Sequence, residues 1–330
     1  MVLLLAGATL VLLALVDEVW TTIAAGSGAG PVTGRLTGGL WRLALGVHRR
    51  RPSHRLLTLA GVLVPLSVLV TWIVLVSVGW VLVFSASDGA VRDATTGRSA
   101  DLGEREYYAG YTIFTLGNGG YAPGAGLWQL TTVLAAGTGL VLVTLSITYL
   151  VPVAGAVAHR RQVAGHIASL GADPADIVVR AWSGSGFGSL GQHLVSLTEL
   201  VQAARQRHLT YPVLHYFHST DRDNALGPGL AHLWGATHLL RHGVAPEQRP
   251  DPAALRPIDD AVGAFLSTLS TAHIDRVDPP VPVPDLAPLQ AAGIPVVDDA
   301  AYRAASGSTL ERRALLAGLL DDDGWSPDDA

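Results

Sequence analysis

The sequence predicts an all-α membrane protein with a helical part outside the membrane, and two observations predict it. Apolar residues make up 49% of the 330 residues and charged residues only 15%, whereas a soluble globular chain is about one quarter charged. The charges are also unevenly placed. Residues 1–158 hold nine Arg and seven acids, and residues 159–330 hold thirteen Arg and twenty acids. The first part of the chain therefore suits a bilayer, and the second part suits water.

The first apolar segment opens the chain. Residues 2–23 have about the length that a helix needs to cross a bilayer, and Asp17 and Glu18 lie near the end of the segment. A cleaved signal peptide is the alternative, but a basic start is missing and residues 24–26 form only a weak cleavage site. We therefore predict an N-terminal transmembrane helix within residues 1–25. Adjacent residues point to different helix faces, and we expect the two acids at the cytoplasmic rim.

The next segment, residues 26–55, holds six Arg and no acid. Loops rich in Lys and Arg stay in the cytoplasm, so we expect the N-terminus outside the cell membrane and the C-terminus in the cytoplasm. Residues 34–48 place Leu, Trp and Arg at near-helical spacing, which is typical of an interfacial helix on the inner leaflet. Because Gly38 and Gly39 weaken a helix, a plain basic linker is the alternative.

Two longer apolar runs follow. Residues 56–87 pass without a charged side chain, and so do residues 107–158. Within the second run, residues 127–158 are long enough to span a bilayer, whereas residues 107–114 suffice only for about two helical turns. The sequence therefore predicts two more spanning helices with a short helix between them.

The short helix is followed by a run rich in glycine, and Pro123 comes soon after it. The run reads Thr115-Leu116-Gly117-Asn118-Gly119-Gly120. Such residues free backbone carbonyls from helical hydrogen bonds. In a bilayer, that backbone survives only where protein buries it or where it lines an aqueous path, and carbonyls on such a path can replace the water around an ion. A plain glycine-rich turn is the alternative. We expect Gly117 and Gly119 to need a positive or otherwise unusual φ.

The residues from Thr115 to Pro123 resemble the pore signature of the potassium channel superfamily, T-V-G-Y-G-D-x-x-P. Thr115, Gly117, Gly119 and Pro123 match with the spacing intact. The resemblance implies a tetrameric pore domain over residues 56–158. Its parts would be an outer helix at 56–84, a pore helix at 107–114 that includes Tyr111, Thr112 and Phe114, a filter at 115–120 that holds K⁺, and an inner helix at 127–158.

Two positions depart from the usual signature. Asn118 stands where the superfamily usually has Tyr or Phe, whose ring braces the filter, and Gly120 stands where Asp is usual. Channels of the same superfamily that pass both Na⁺ and K⁺ also carry a small polar residue at the position of Asn118. The resemblance therefore implies either a K⁺ channel or a non-selective Na⁺/K⁺ channel.

Gly137, Gly139 and Pro152 are candidate gating residues in the third spanning segment. The glycines lie at about the depth at which related inner helices bend, and Pro152 lies near the inner end, where some related helices are kinked. Small residues in membrane helices also serve close packing, and a proline near the end can stop a helix. Both interpretations stay open for all three residues.

Residues 159–276 are predicted to form a cytoplasmic helical domain. Asp173-Pro174 is a typical helix start, and further helices are expected at 192–206 and 230–241. Prolines are dense from residue 277 to residue 297, which predicts an extended linker. Beyond it we expect one helix at 302–320 and a solvated acidic tail, so that residues 277–330 lie outside the packed domain.

Two motifs in this part suggest binding sites. Residues 186–191 fit G-x-G-x-x-G, but no alternation of strands and helices follows, which weakens the case for nucleotide binding. His215 and His218 are three residues apart, so they share a face if the segment is helical and could then bind a divalent metal ion. A buried or interfacial histidine pair is the commoner explanation.

The expected function is that of a homo-oligomeric channel for monovalent cations in the lipid bilayer, gated by the inner helices and the cytoplasmic domain. We expect no cofactor besides the permeant ion, no nucleic-acid partner and no enzyme activity, since no set of catalytic residues is evident. A small ligand or ion for the cytoplasmic domain stays open. The alternatives are a membrane enzyme, or a sensor or accessory protein with a channel-like but non-conducting fold.

Overall fold

The structure is a computed structural model that describes residues 1–24, 28–117, 119–271 and 274–326. It is mostly helical. The chain divides into two units, each with its own hydrophobic core. The first unit comprises residues 1–39 and 63–153, and the second comprises residues 40–62 and 154 onward.

Three long helices dominate the N-terminal half. In chain order its elements are α1 (Val2–Ile23), α2 (Pro31–Arg50), α3 (His54–Phe84), β1 (Val91–Asp93), α4 (Leu102–Ile113), β2 (Tyr121–Pro123) and α5 (Leu127–Leu170). Helices α1, α3 and α5 are long and apolar enough to cross a membrane. The prediction of a mainly helical chain with three such helices is confirmed.

The prolines inside the long helices do not end them. Pro65 lies within α3, and Pro152 lies within the 44-residue α5, which continues to Leu170. Of the two interpretations of Pro152, a helix stop is therefore wrong. A proline in a helix interior removes one backbone hydrogen bond and favours a kink, and the packed apolar residues on either side can still maintain the helix.

Helix α4 begins earlier than the short helix that the sequence predicts. Its N-terminus has a capping box: the Asp101 carboxylate accepts from the Glu104 N–H (3.0 Å), and the Glu104 carboxylate accepts from the Asp101 N–H (2.7 Å). This box satisfies backbone donors that would otherwise be unpaired, so the helix starts at Leu102. The sequence analysis began the helix at Tyr107 because the run without charged side chains begins there. The capping box lies before that run and is made of charged residues, Asp101 and Glu104.

A short β-ribbon was not expected in an all-α protein. Strands β1 and β2 pair antiparallel, with Val91 opposite Pro123 and Asp93 opposite Tyr121. The ribbon joins the segment before α4 to the segment after the glycine-rich run. Two short strands of this kind have no long hydrophobic pattern, which explains why the sequence does not reveal them.

The core of the first unit lies where α1, α3, α4 and α5 meet. Its buried side chains include Val11 and Ala14 of α1, Trp72 and Trp80 of α3, Tyr108 and Ile113 of α4, and Ala135 and Leu142 of α5. Glycines permit the closest contacts. A Cβ atom at Gly7 would collide with the Gly79 carbonyl, and one at Gly139 would collide with the Ile113 carbonyl. Close backbone approach through small residues is typical of membrane helices.

The second unit packs shorter helices around one core. Its further helices are α6 (Pro174–Ala181), α7 (Leu190–Thr210), α8 (Leu226–His238), α9 (Pro252–Ser270), α10 (Ala287–Ala291), α11 (Asp299–Gly307) and α12 (Leu310–Asp322). Helix α6 starts as predicted, with the Asp173 carboxylate accepting from the Asp176 N–H (2.8 Å). Helix α9, which packs along α7, was not singled out in the sequence, although Asp251-Pro252 is the same start signal.

The proline-rich segment is packed, and the expectation of an extended linker is wrong. Val281, Leu286, Leu289 and Ile294 are buried in the core of the second unit. Proline is compatible with extended chain and with the first turn of a helix, as at Pro288 of α10, so a proline-rich segment can still bury the apolar residues between its prolines.

The chain end also differs from the prediction. The expected single helix at 302–320 is two helices, α11 and α12, separated at Ser308-Thr309. The acidic end is not a solvated tail, because Asp323 is buried and Trp325 packs against the core. Residues 327–330 lie outside the described part of the chain.

Candidate functional site

The loop after α4 carries the residues of the predicted filter. Thr115 has a φ of 54° and Gly117 a φ of 69°, whereas Leu116 between them is not in the left-handed region. A positive φ is unusual for a β-branched residue such as threonine, so the surrounding structure must hold this backbone against its local preference. Asn118, whose carbonyl carbon defines the φ of Gly119, lies outside the described residues.

Hydrogen bonds fix the start of this loop and leave its next carbonyls available. The Leu116 N–H donates to the Tyr111 carbonyl (2.8 Å), and the Thr115 N–H donates to the Thr112 carbonyl (3.1 Å). Within the described part of the chain, no N–H donates to the carbonyl oxygens of Thr115, Leu116 or Gly117. These three residues are exposed in a single chain. Their carbonyls are therefore available to water, to an ion or to another copy of the chain.

A group of tyrosines supports the loop, and the sequence analysis missed it. The Tyr111 hydroxyl donates to the Tyr121 carbonyl (2.8 Å), just beyond the glycine-rich run. The rings of Tyr107 and Tyr108 each lie 5.3 Å from the Tyr111 ring, edge to face. The Tyr108 hydroxyl is hydrogen-bonded to the Thr132 hydroxyl of α5 (2.7 Å). The sequence does contain a signal for this group: Tyr107 and Tyr108 lie four and three residues before Tyr111, the spacing at which side chains meet on a helix.

The far end of the loop is tied to the segment before α4. The Ala94 N–H donates to the Gly120 carbonyl (3.1 Å). The Tyr121 hydroxyl donates to the Glu104 carboxylate (3.1 Å), which also forms an ion pair with Arg98. The loop is thus held at both ends, by α4 on one side and by the β-ribbon on the other.

The remaining residues predicted for the pore lie in α4 and α5. Thr112 is buried and Phe114, which follows the last residue of α4, is exposed. Gly139 lies against the end of α4, so close packing is the role that its surroundings support. Gly137 has open space around it, and Pro152 lies exposed within α5. A hinge at Gly137 or Pro152 stays a prediction.

Asp17 is a structural anchor at the end of α1. Its carboxylate accepts from the Val32 N–H (2.7 Å), the Thr33 hydroxyl (2.6 Å) and the indole N–H of Trp72 (2.8 Å), and the Thr33 N–H adds a fourth contact (3.2 Å). Val32 and Thr33 belong to the first turn of α2. The carboxylate therefore caps α2 from another helix, where the positive end of the helix dipole favours an anion.

Glu18 is as deeply buried as Asp17 but is much less well satisfied. Its Oε1 atom lies 3.5 Å from the Ser146 hydroxyl of α5, and its Oε2 atom has no hydrogen-bond partner in the described part of the chain. The two adjacent acids thus face different helices, as expected, but both are inside the protein. An ionisable residue within a membrane-spanning helix is a candidate for function by default.

Comparison with known proteins gives one family. The chain is 34% identical over 318 residues to "Uncharacterized membrane protein YdjJ" of Bacillus subtilis (strain 168), a match that covers 96% of this chain and 92% of that protein. The chain belongs to the family of that membrane protein. No protein-family model and no solved structure matches the chain. The chain is therefore a membrane protein, and the relationship extends over both of its units.

The structure gives His215 and His218 different partners. His215 is hydrogen-bonded to Asp322, whereas the Nε2 atom of His218 lies 2.9 Å from the Nδ1 atom of His54. The two histidines lie in and just after a 3₁₀ turn, so α-helical spacing does not apply to them. No group of three or more His, Asp or Glu side chains in the described residues is arranged to hold a metal ion. The divalent site therefore receives no support from these side chains.

The G-x-G-x-x-G motif follows a helix and precedes α7. A dinucleotide-binding turn connects a strand to a helix, and here α6 occupies the position of that strand. Gly186 and Gly188 are not at positive φ, and their surroundings are open. The motif is therefore a connection between two helices, and its Phe187 and Leu190 side chains are buried in the core of the second unit.

Proposed function

We propose that this chain is one subunit of a homotetrameric channel that conducts monovalent cations, with K⁺ as the expected permeant ion, across the cell membrane. The filter is the loop at 115–120, α4 is the pore helix, and α3 and α5 are the outer and inner helices. The N-terminus lies outside and the second unit lies in the cytoplasm.

The backbone of the loop carries this proposal. Thr115 and Gly117 have a positive φ, whereas Leu116 between them does not. Such a backbone is neither helix nor strand, and it leaves three successive carbonyls without partners among the described residues. Carbonyl oxygens arranged along a path are the ligands that replace the hydration shell of a monovalent cation. A plain turn between two helices has no need of a strained threonine.

The setting of the loop supports a cation rather than an anion. Helix α4 ends at Ile113, immediately before the loop, and the C-terminal end of a helix carries partial negative charge. Gly139 lets α5 approach this end closely. The tyrosines of α4 give the loop the rigid support that Asn118, in place of an aromatic ring, does not supply.

Several copies of the chain are needed for such a site. One loop offers carbonyls on one side only, so symmetry must complete the ring around the ion. The exposed apolar side chains of α5 are suited to contacts with lipid or with neighbouring copies, and they include Leu127, Leu130, Val133, Leu134, Leu140 and Ile147. A cyclic tetramer is the arrangement that the resemblance implies.

Recordings from the purified protein in planar bilayers test the proposal. We expect a cation current in wild type and none in Gly117→Ala, because a Cβ atom strains a backbone that has a φ of 69°. Gly97→Ala is the matched control, since Gly97 has a φ of 70° in the turn that precedes α4. It imposes similar strain away from the loop, and its current should persist.

Two outcomes would contradict the proposal. A wild-type protein that inserts and assembles but carries no current would favour a sensor or accessory protein. A Gly117→Ala variant that conducts like wild type would mean that the ion does not pass along this backbone. Reversal potentials under opposed K⁺ and Na⁺ gradients then distinguish a K⁺ channel from a non-selective one.

A further inference from the structure

A cleft of about 600 Å³ opens in the second unit, and three parts of that unit form its walls. The turn after α8 contributes Arg241 and His242, and α9 contributes Gly263 and Leu266. The start of α12 contributes the third wall, which includes Arg312 and Leu315. Clefts of this size bind small molecules in other proteins. We call this one the arginine cleft.

Arg312 lies in the arginine cleft without an acidic partner from the described part of the chain. The adjacent Glu311, which also lines the cleft, is paired with Arg276 instead. The Arg312 guanidinium lies on Gly263, where a Cβ atom would be 2.9 Å from the Nη2 atom. A planar fork of N–H donors is thus placed in a cleft with no acceptor from the described residues. An oxyanion is the ligand that such a fork matches.

Arg241 lines the same cleft and is held in place from the other side. Its Nη2 atom is paired with Asp259, whose side chain is 11% exposed. The Asp259 carboxylate also accepts a hydrogen bond from the Thr237 hydroxyl (2.9 Å). Because the Arg241 side chain is still 38% exposed, a ligand in the cleft can reach it. Its conformation is already fixed, so little side-chain entropy is lost when an anion binds.

His242 indicates that the potential at this wall is positive. Burial, and after it the charges of Arg241 and Arg249, lower the pKa of His242, although Asp259 acts in the opposite direction. The His242 ring is therefore neutral near pH 7 and offers one N–H donor. Together with the uncompensated charge of Arg312, these groups favour an anion in the cleft.

We propose that the arginine cleft binds a soluble small molecule that carries a phosphate monoester. A phosphate has three terminal oxygens, which can accept from two guanidinium groups and an imidazole, whereas a carboxylate has only two. The cleft is much larger than a phosphate group, and Leu266 and Leu315 line the remaining space for an organic part of the ligand. The site does not depend on ion conduction, since a channel and a non-conducting sensor could each bind such a ligand.

Isothermal titration calorimetry of the full-length protein in detergent and phosphate-free buffer tests the proposal. The probes are phenyl phosphate, inorganic phosphate and phenol. We expect phenyl phosphate to bind with a Kd about tenfold below that of inorganic phosphate, because burial of the ring adds to the ionic contacts. Phenol keeps the ring without the charge and should give no saturable heat.

Two variants and one control locate the bound phosphate. Arg312→Gln should raise the Kd for phenyl phosphate at least about tenfold, because charge-assisted hydrogen bonds are lost. Gly263→Ala keeps every charge, but its Cβ atom displaces the Arg312 guanidinium. It should also weaken binding without lowering the Tm, since alanine favours a helix. Arg303→Gln removes the same charge at a side chain that is 80% exposed on α11, and its Kd should stay within about twofold of wild type.

The absence of saturable binding of either phosphate would overturn the proposal, and so would an Arg312→Gln variant that binds like wild type. A soluble short-chain lipid, dihexanoyl phosphatidic acid, carries the same headgroup chemistry and distinguishes the two sources of phosphate. It should bind no more tightly than phenyl phosphate. Tighter binding that is lost in Arg312→Gln would identify a lipid headgroup as the ligand and overturn the proposal of a soluble one.

Discussion

Asp17 in the first unit and the pair Asp322 and Asp323 in the second unit have different kinds of partner. Asp17 in the first unit receives N–H and O–H donors from a helix N-terminus, a threonine and an indole, and no Arg or His in the described residues forms an ion pair with it. Asp322 and Asp323 in the second unit face histidines. The first arrangement uses fixed dipoles, and the second uses imidazole rings. The comparison shows that a carboxylate can be held by uncharged N–H and O–H donors at one place in the chain and beside imidazole rings at another.

The physical reason is the cost of a cation in a bilayer. An arginine or histidine beside Asp17 would itself need to be desolvated, and a buried ion pair often fails to recover that cost. Backbone N–H groups at a helix start are already present and need partners, so a carboxylate there satisfies both sides. In the second unit, the Asp322 side chain is 27% exposed, and histidines face both this side chain and the buried Asp323.

The largest effect is expected from breaking the dipole arrangement. Asp17→Asn keeps the shape but replaces one acceptor oxygen by an NH₂ group, which must then face N–H and O–H donors at 2.6–3.2 Å. Buried donors lose their acceptor, and we expect the free energy of unfolding to fall by about 3 kcal/mol. Denaturant unfolding in detergent, followed by tryptophan fluorescence, measures it. A loss below about 1 kcal/mol would mean that α2 does not depend on this cap.

The sequence shows the spanning helices but not the role of Asp17. Length and hydropathy suffice for α1, α3 and α5, because a bilayer imposes a simple requirement on each helix by itself. The acceptor role of Asp17 arises only when the chain reverses and brings Val32 and Thr33 back to it. The strained φ of Thr115 and the tyrosine contacts likewise depend on how α4 packs, which no local pattern specifies.

The second unit was harder to predict from the sequence for a different reason. The prolines from 277 to 297 and the acids from 321 to 323 each suggest solvent-exposed chain by composition. Apolar residues at wider intervals, such as Leu286, Leu289 and Ile294, and basic partners far away in sequence, such as Arg49 and His215, bring both segments into the packed structure. The composition of a segment does not show which residues elsewhere in the chain will pack against it, so composition alone predicted that both segments would be exposed.

A second prediction extends the comparison within the second unit, where burial disfavours the charged form of one histidine. His238 is buried beside Trp234 and Ser306, and burial, with the nearby charges of His242, Arg313 and Arg241, lowers its pKa to about 3. The unfolded chain binds this proton near pH 6.5, so stability is present above that pH and is lost as pH falls toward 3.

The loss has a limiting slope of about 1.4 kcal/mol per pH unit for one proton. His238→Gln can retain a hydrogen bond to Ser306 and should flatten the acid side of the stability profile. His193→Gln, at an exposed position beside His166, is the control; it removes one cause of the lowered pKa of His166 and should change the slope less than His238→Gln does. An unchanged slope in His238→Gln would show that His238 is not the group that resists protonation.

The smallest effect on the free energy of unfolding is expected at Glu18, which is adjacent to Asp17, the residue with the largest expected effect. Only one contact is at stake, the 3.5 Å approach of Ser146, and Oε2 has no partner among the described residues. A charged carboxylate in these surroundings would cost several kcal/mol, whereas an amide of the same shape would not. Glu18→Gln should therefore keep the free energy of unfolding within about 0.5 kcal/mol of wild type, or raise it. Measured beside Asp17→Asn in the same detergent, it separates an acid that the fold requires from one that the fold only tolerates. If Glu18→Gln is destabilised as much as Asp17→Asn, Glu18 is part of the same structural anchor, and the contrast between the two adjacent acids is wrong.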